Sequence, residues 1–245
     1  MILSVIIPAY NEAANIKRTT RLLHRSLIRA NIPHEILVIN DNSQDETEEV
    51  LNKLQREVST LRYINSTNEN GFGFAVREGL DNFKGDCVAI FMADCSDSPD
   101  DLVTFYNEMV NGDWDCVFGS RFIKGGHTHG YPYLKLIINR IANNIVRLAI
   151  GRKYNDYTNA FKLYQKKTID GLRPFLSPHF NLTLELPLKA IVRGYNYTVI
   201  PNSWTNRIHG KSNLKIKEMG SRYFFILLYC LIEKFFSRGD YKKTT

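Results

Sequence analysis

Asp94 stands where an apolar run, Cys87 to Met92, gives way to short acids and hydroxyls, Asp94-Cys95-Ser96-Asp97-Ser98-Pro99-Asp100-Asp101. A buried parallel strand that ends this way delivers a carboxylate to the C-terminal edge of a sheet, where open α/β sheets bind ligands. A carboxylate there either holds a divalent cation through hard oxygen contacts or caps the helix that follows. Three more segments have the same character: Pro8-Ala9-Tyr10-Asn11-Glu12, Asn40-Asp41-Asn42-Ser43-Gln44-Asp45-Glu46-Thr47, and Asn68-Glu69-Asn70-Gly71-Phe72-Gly73-Phe74-Ala75. Each is made of ordinary turn residues. Their chemical interest depends on whether the fold gathers them at one crevice.

The elements that must do so alternate. Strands are predicted at Ile2–Ile7, Glu35–Ile39, Leu61–Ile64, Cys87–Met92 and Cys116–Phe118. Helices are predicted between them at Asn15–Ala30, Asp45–Val58, Phe74–Asn82 and Asp100–Asn111, with Asp45 as an N-cap. This βαβ winding implies an α/β fold with one mainly parallel, Rossmann-like sheet and helices on both faces. Beyond residue 120 come a glycine-rich loop, Lys124–Gly130, and a helix, Tyr133–Ile150, with an apolar stripe at Leu134, Ile137, Ile141, Ile145 and Leu148. Then follow a strand at Phe161–Tyr164, a helix at Leu182–Val192, an edge strand at Tyr197–Ile200, a polar loop at Ser203–Asn213 and a last helix from Leu214.

The 245 residues suffice for one large core, and the net charge of +7 favours an anionic partner. No Walker A sequence is present, and Gly71-Phe72-Gly73 lacks the third glycine and the strand position of a dinucleotide fingerprint. The basic surface carries no nucleic-acid motif, so no nucleic acid is expected. Cys87, Cys95, Cys116 and Cys230 form no Cys-x-x-Cys pair, which points to reduced thiols in a cytosolic protein. His127 and His129 lie in the glycine loop without a third ligand, the pattern of a surface loop rather than of a metal site. Met1–Ile7 lacks the basic lead of a secretory leader.

In order, the four segments resemble the family-2 glycosyltransferases of GT-A fold. Gly119-Ser120-Arg121-Phe122, Asp156-Tyr157-Thr158-Asn159-Ala160-Phe161-Lys162 and Arg207-x-x-Gly210-x-Ser212 extend the resemblance toward the dolichol-phosphate mannosyltransferase branch. The resemblance implies a sugar-nucleotide donor, GDP- or UDP-linked, held by Pro8, Ala9, Tyr10, Glu12, Asp41 and Ser96. It implies Mg²⁺ or Mn²⁺ on Asp94, and Arg207, Lys211 and Ser212 on a loop over the donor diphosphate. Arg121, Lys135 and Asn139 would meet the acceptor phosphate. Met92 and Asn40 depart from the family, which usually has Asp at both positions. Lys135 and Asn139 replace the branch's usual Arg and Ser.

These roles describe an inverting transfer of a hexose, mannose from GDP-mannose first among them, to a polyprenyl phosphate. Cation and guanidinium would neutralise the leaving diphosphate. A lipid phosphate is already anionic and needs no base, whereas a hydroxyl acceptor would need one, and Asp156 is its candidate, or else a turn carboxylate. The alternatives are transfer to a saccharide or lipid hydroxyl in surface-polysaccharide synthesis, and a non-catalytic nucleotide-sugar-binding subunit. Residues 1–213 would form the glycosyltransferase domain. Residues 214–245, with Phe224, Phe225, Leu228, Phe235 and Phe236 among Arg222, Lys234, Arg238 and Lys242, would form a basic amphipathic anchor on the membrane surface. The expected location is the cytoplasmic face of a membrane, held peripherally.

Overall fold

The computed structural model describes residues 1–207 and 216–243, the side chains of 216–219 excepted. Alternating strands and helices run β1 (Leu3–Ala9), α1 (Ala13–Arg29), β2 (His34–Asn40), α2 (Thr47–Glu57), β3 (Leu61–Asn65), α3 (Phe72–Asn82), β4 (Cys87–Ile90), α4 (Pro99–Asn111) and β5 (Cys116–Ser120). They continue as β6 (His127–His129), α5 (Tyr133–Ile150), β7 (Lys162–Gln165), α6 (Lys166–Gly171), α7 (Leu182–Val192), β8 (Tyr197–Pro201), β9 (Ser203–Thr205) and α8 (Ile216–Phe236).

The main sheet has seven strands in the order β3-β2-β1-β4-β7-β5-β8. Only β7 runs against its neighbours, pairing antiparallel with β4 and β5. Side chains alternate across this sheet as the pleat requires. Leu3, Val5 and Ile7 of β1 pack with α1, α2 and α4 on one face, and Ile6 packs with α3 and α7 on the other. Both faces are covered, so the central strands are buried and read as continuous apolar runs. The chain has the expected α/β fold, one mainly parallel sheet with helices on both faces.

Several expectations are corrected. Asp45 does not cap α2 as its N-cap residue; the helix begins at Thr47. The Asp45 carboxylate instead accepts from the Thr47 and Ala13 amides, tying α1 to α2. The glycine loop and the polar loop each contain a short strand, β6 and β9, which pair parallel to form a second small sheet. The stripe on α5 does not enter a core: Leu134 is 68% exposed, Ile145 56% and Leu148 75%. Leu22 of α1 is also exposed.

The last helix is no detached appendage. Ile226, Leu227 and Cys230 of α8 join the core cluster built on α7. Arg193 donates to both carboxylate oxygens of Glu233 at 2.8 and 2.9 Å, a pair almost fully buried. The Lys234 ammonium donates to the Ile150 carbonyl at the end of α5. The boundary drawn at residue 213 therefore separates segments that share one core. The opposite face of α8 presents Phe224, Phe225, Phe235 and Phe236 to the outside. Among the described residues, no helix is long and apolar enough to cross a membrane.

Candidate active site

Because β1, β2, β4 and β5 run in one direction, their C-terminal ends open on one edge. Glu12, Asp41, Asp94 and Arg121 follow those four ends. The polar segments singled out in the sequence therefore share one rim.

Asp94 is buried at the turn after β4, and one carboxylate oxygen accepts the Ser96 amide at 3.1 Å. The other faces Arg207 at 2.6 Å, and the same guanidinium lies 3.6 Å from Glu12. Arg207 reaches this position because β9 is pinned to the Asp94 turn. Thr205 donates to the Ser96 carbonyl, and Trp204 bridges to Asp97. Burial raises the Glu12 carboxyl above its usual range, while its hydrogen bond from Asn15 and the charge of Arg207 pull the other way. Asp97, which no sequence reasoning singled out, lies fully buried beside them. Burial, reinforced by the charge of Asp94, pushes its carboxyl up to about 7.

Asp41 is held by the Gly71 amide at 2.9 Å through one oxygen. Its other oxygen is buried with no hydrogen-bond partner among the described residues. A buried acceptor left open is costly unless a ligand satisfies it. The Asn40 side-chain oxygen is likewise unpartnered there. Pro8, Ala9 and Tyr10 line the end of β1 on the same rim, Ala9 buried and the other two partly exposed. Ser96 is buried in the Asp94 turn. Gly71-x-Gly73 does not form a phosphate cradle. A Cβ on Gly73 would lie 2.5 Å from the Ser177 and Pro178 backbone, so this glycine serves the packing of α3 against the segment before α7.

On the other side of Asp94, Arg121 and Asp156 form a buried bidentate pair. The guanidinium donates at 2.8 and 2.7 Å, and the Arg121 amide donates to the same carboxylate at 3.0 Å. Burial opposes the charge on Arg121, but Asp156 more than offsets it and holds the group above its usual range. Asp156 is 0% exposed with both oxygens engaged. This corrects its expected part as a base: its carboxylate orients Arg121 and has no surface to offer a hydroxyl. The Arg121 guanidinium also lies 5.7 Å from the Tyr131 ring centre.

A cavity of about 330 Å³ joins the two halves. Asp94, Ser96, Asp97 and Arg207 line one side, and Arg121, Lys135, Asn139 and Thr158 the other. Asn139 donates to the Thr158 hydroxyl at 2.8 Å, and Lys135 enters no ion pair among the described residues. Tyr131, Trp204 and Tyr223 also line the cavity and were invisible to motif reading, because they come from a loop, a short strand and a helix with no shared spacing. Lys211 and Ser212 lie outside the described residues. His127 and His129 lie on β6, away from this cavity lining, and Glu185 pairs with Lys189 in the core rather than facing it.

The residue set bears on a divalent cation. Among the described residues, no cluster of three His, Cys, Asp or Glu side chains could enclose one. Magnesium in phosphate sites needs only one or two carboxylates, with substrate oxygens completing the shell. Asp94 meets that minimum: its outer oxygen already faces a cationic group, Arg207. The Met92 thioether is a soft group and adds nothing for such an ion.

The model of the family described as Glycosyl transferase family 2 matches residues 4–173. A dolichol-phosphate mannosyltransferase from Pyrococcus furiosus is 30% identical over 89% of this chain and 60% of its own length. The glycosyltransferase AglD of Haloferax volcanii is 27% identical over 89% of this chain and 36% of its own. The chain thus spans less than two thirds of either relative. Glucosyl-3-phosphoglycerate synthase from Mycobacterium tuberculosis, solved with Mn²⁺, UDP and phosphoglyceric acid, superposes with a TM-score of 0.70 at 17% identity, covering 94% of this chain and 78% of its own. The same enzyme solved with Mg²⁺ and UDP gives 0.67, covering 95% and 78%.

Proposed function

From a chain that belongs to glycosyl transferase family 2, we propose an enzyme that moves a hexose from a sugar-nucleotide to a polyprenyl phosphate at a membrane surface. The observation that carries this reading is the cavity. It joins an acidic half at Asp94 to a basic half at Arg121 and Lys135, between two helices with exposed apolar faces. A lipid phosphate has the two properties such a cavity selects, an anionic head and an apolar tail. GDP-mannose is the first donor to test, in keeping with the mannosyltransferase relative.

On the donor side, the open oxygen of Asp41 offers an acceptor to a base N–H, and Glu12 and Tyr10 lie beside it on the rim. Asp94 would hold Mg²⁺ or Mn²⁺, which supplies positive charge to the diphosphate when bound. Arg207 exchanges Asp94 for the diphosphate and helps neutralise charge on the leaving group. On the acceptor side, Arg121 is held rigid by Asp156 and presents its fixed charge to the phosphate, with Lys135 and Asn139 on the next helix. An anionic phosphate oxygen attacks the sugar without surrendering a proton. That suits an acceptor half whose carboxylate, Asp156, is fully engaged with Arg121.

The exposed residues of α5 and α8 support peripheral attachment, with Lys135, Arg222 and Arg238 at the surface for acidic lipid heads. The donor supply favours the cytoplasmic face. The test is transfer from a panel of GDP- and UDP-sugars to polyprenyl phosphate, with and without Mn²⁺ and chelator. Transfer to a lipid phosphate from one donor is expected. Transfer only to hydroxyl acceptors, or none from any donor, would overturn the reading.

A further inference from the structure

Lys162 is 1% exposed, one of the most deeply buried cations in the chain. It opens β7, opposite Phe118 of β5, and its ammonium turns into the loop between α5 and β7. There it donates to the carbonyls of Tyr157 at 3.0 Å, Asn159, and Thr183 at 3.3 Å. An ammonium has three N–H bonds, and three carbonyls face it.

The loop it gathers supplies much of the basic half of the cavity. Asp156 orients Arg121, and Thr158 receives Asn139 and Asn143 of α5. Asn159 donates to the Gly119 carbonyl at 3.2 Å, and Thr183 begins the cavity wall contributed by α7. Among the described residues, no side-chain carboxylate bonds Lys162 directly. Its hydrogen bonds go to backbone carbonyls, an arrangement that fixes chain positions rather than a partner side chain.

We infer that Lys162 is a positioning residue for acceptor binding: its ammonium pins residues 156–159 to α7 and so fixes Arg121 and Thr158 at the cavity wall. This rests on the acceptor half-site proposed above.

The charge state adds a testable consequence. Burial pushes the ammonium down to about 7, with Asp156 and Asp97 opposing that shift and Arg121 reinforcing it. The other titratable groups near it are Tyr154, whose ring centre is 6.0 Å from the nitrogen, Tyr157, and Tyr223 of α8 at Thr183. The tyrosines are raised by burial and stay neutral through this range. Below pH 7 the nitrogen carries three N–H donors. Above it a neutral amine has two, and one carbonyl faces a lone pair.

The experiment compares wild type, Lys162→Arg and Lys162→Met in the full chain between pH 6 and 9. Polyprenyl phosphate is the acceptor, and donor affinity is measured by calorimetry. In wild type the acceptor KM rises above pH 7, by up to about tenfold per pH unit as the competent form is depleted. In Lys162→Arg, which stays charged, that rise is absent beyond what titration of the acceptor itself produces. Lys162→Met has a raised acceptor KM already at pH 6, with donor affinity unchanged. An identical alkaline rise in wild type and Lys162→Arg would overturn the inference, as would a wild-type KM in Lys162→Met. Hydrogen exchange of amides 155–160, corrected for intrinsic rates, is read without substrate. A rise above pH 7 in wild type but not in Lys162→Arg supports the lysine's role even if lipid phosphate is never turned over; equal rises overturn it.

Discussion

At the residue scale, the site is organised by ion pairs whose partners come from distant segments. Asp94 and Arg207 are 113 positions apart in sequence and 2.6 Å apart in space. If Arg207 occupies the place a cation takes beside Asp94, the two compete. Arg207→Ala should therefore tighten Mn²⁺ binding in the absence of donor, read by electron paramagnetic resonance, while slowing transfer. Unchanged Mn²⁺ affinity would separate Arg207 from the cation site. Asp94→Asn should lower transfer by about a hundredfold or more, because Asp94 is the carboxylate proposed to hold the diphosphate's cation, and the neighbouring Asp97 is pushed toward its neutral form by burial. The melting temperature, measured on the same preparation, should stay close to wild type. For Arg121 the expectation is different. Arg121→Ala leaves Asp156 charged and buried, which typically costs about 3–5 kcal/mol of stability. Urea unfolding of Arg121→Ala beside Arg121→Ala/Asp156→Ala should show the double variant less destabilised than the single one.

At the element scale, α5 and α8 are where amphipathic pattern and packing part company. A helix with an apolar stripe normally turns it to the core. In α5 the residues that do so are Asn143, Val146 and Ile150, while Leu134, Ile141, Ile145 and Leu148 face outward. Ile141→Glu/Ile145→Glu should thus leave the melting temperature almost unchanged. It should reduce co-sedimentation with anionic vesicles by about tenfold or more, since each isoleucine inserted contributes roughly 1.5–3 kcal/mol. A large fall in melting temperature would show that the stripe is covered in the folded protein. Removing α8 should not yield a soluble, active core. It would strip Ile226, Leu227 and Cys230 from the core and leave Arg193 without Glu233. Truncation after residue 221 is expected to abolish cooperative unfolding, followed by circular dichroism.

At the scale of the whole molecule, the net charge of +7 and the exposed apolar faces would act together in the proposed attachment to a membrane. Attraction of lysines to acidic lipids is screened by salt, but apolar insertion is not. Vesicle binding should therefore weaken as salt rises from 0.05 to about 1 M without vanishing, and should persist in part on neutral lipid. Complete release at high salt would assign the attachment to charge alone. The proposed attachment would bring the cavity between α5 and α8 to the surface where a lipid phosphate presents its head.

The strand–helix alternation, the parallel sheet and the rim of polar segments were legible in the sequence. Local periodicity and turn chemistry encode them within a few residues. So was the identity of Asp94 and Arg121 as residues of one edge, because βαβ winding sends every parallel strand's C-terminus the same way. What the sequence could not decide was which groups those residues would meet. Asp156 was legible as a carboxylate near the site, but only the approach of its loop to β5 made it the partner of Arg121. The stripe on α5 was legible as apolar, but whether it met core or surroundings depended on how α7 and α8 filled that face of the sheet. Lys162 was legible as the last residue of the Asp156–Lys162 segment but not as a buried ammonium: its burial among three carbonyls exists only once β7, its preceding loop and α7 have packed together. Periodicity reports which side of an element is apolar; long-range packing alone determines what that side, or a charge beside it, will touch.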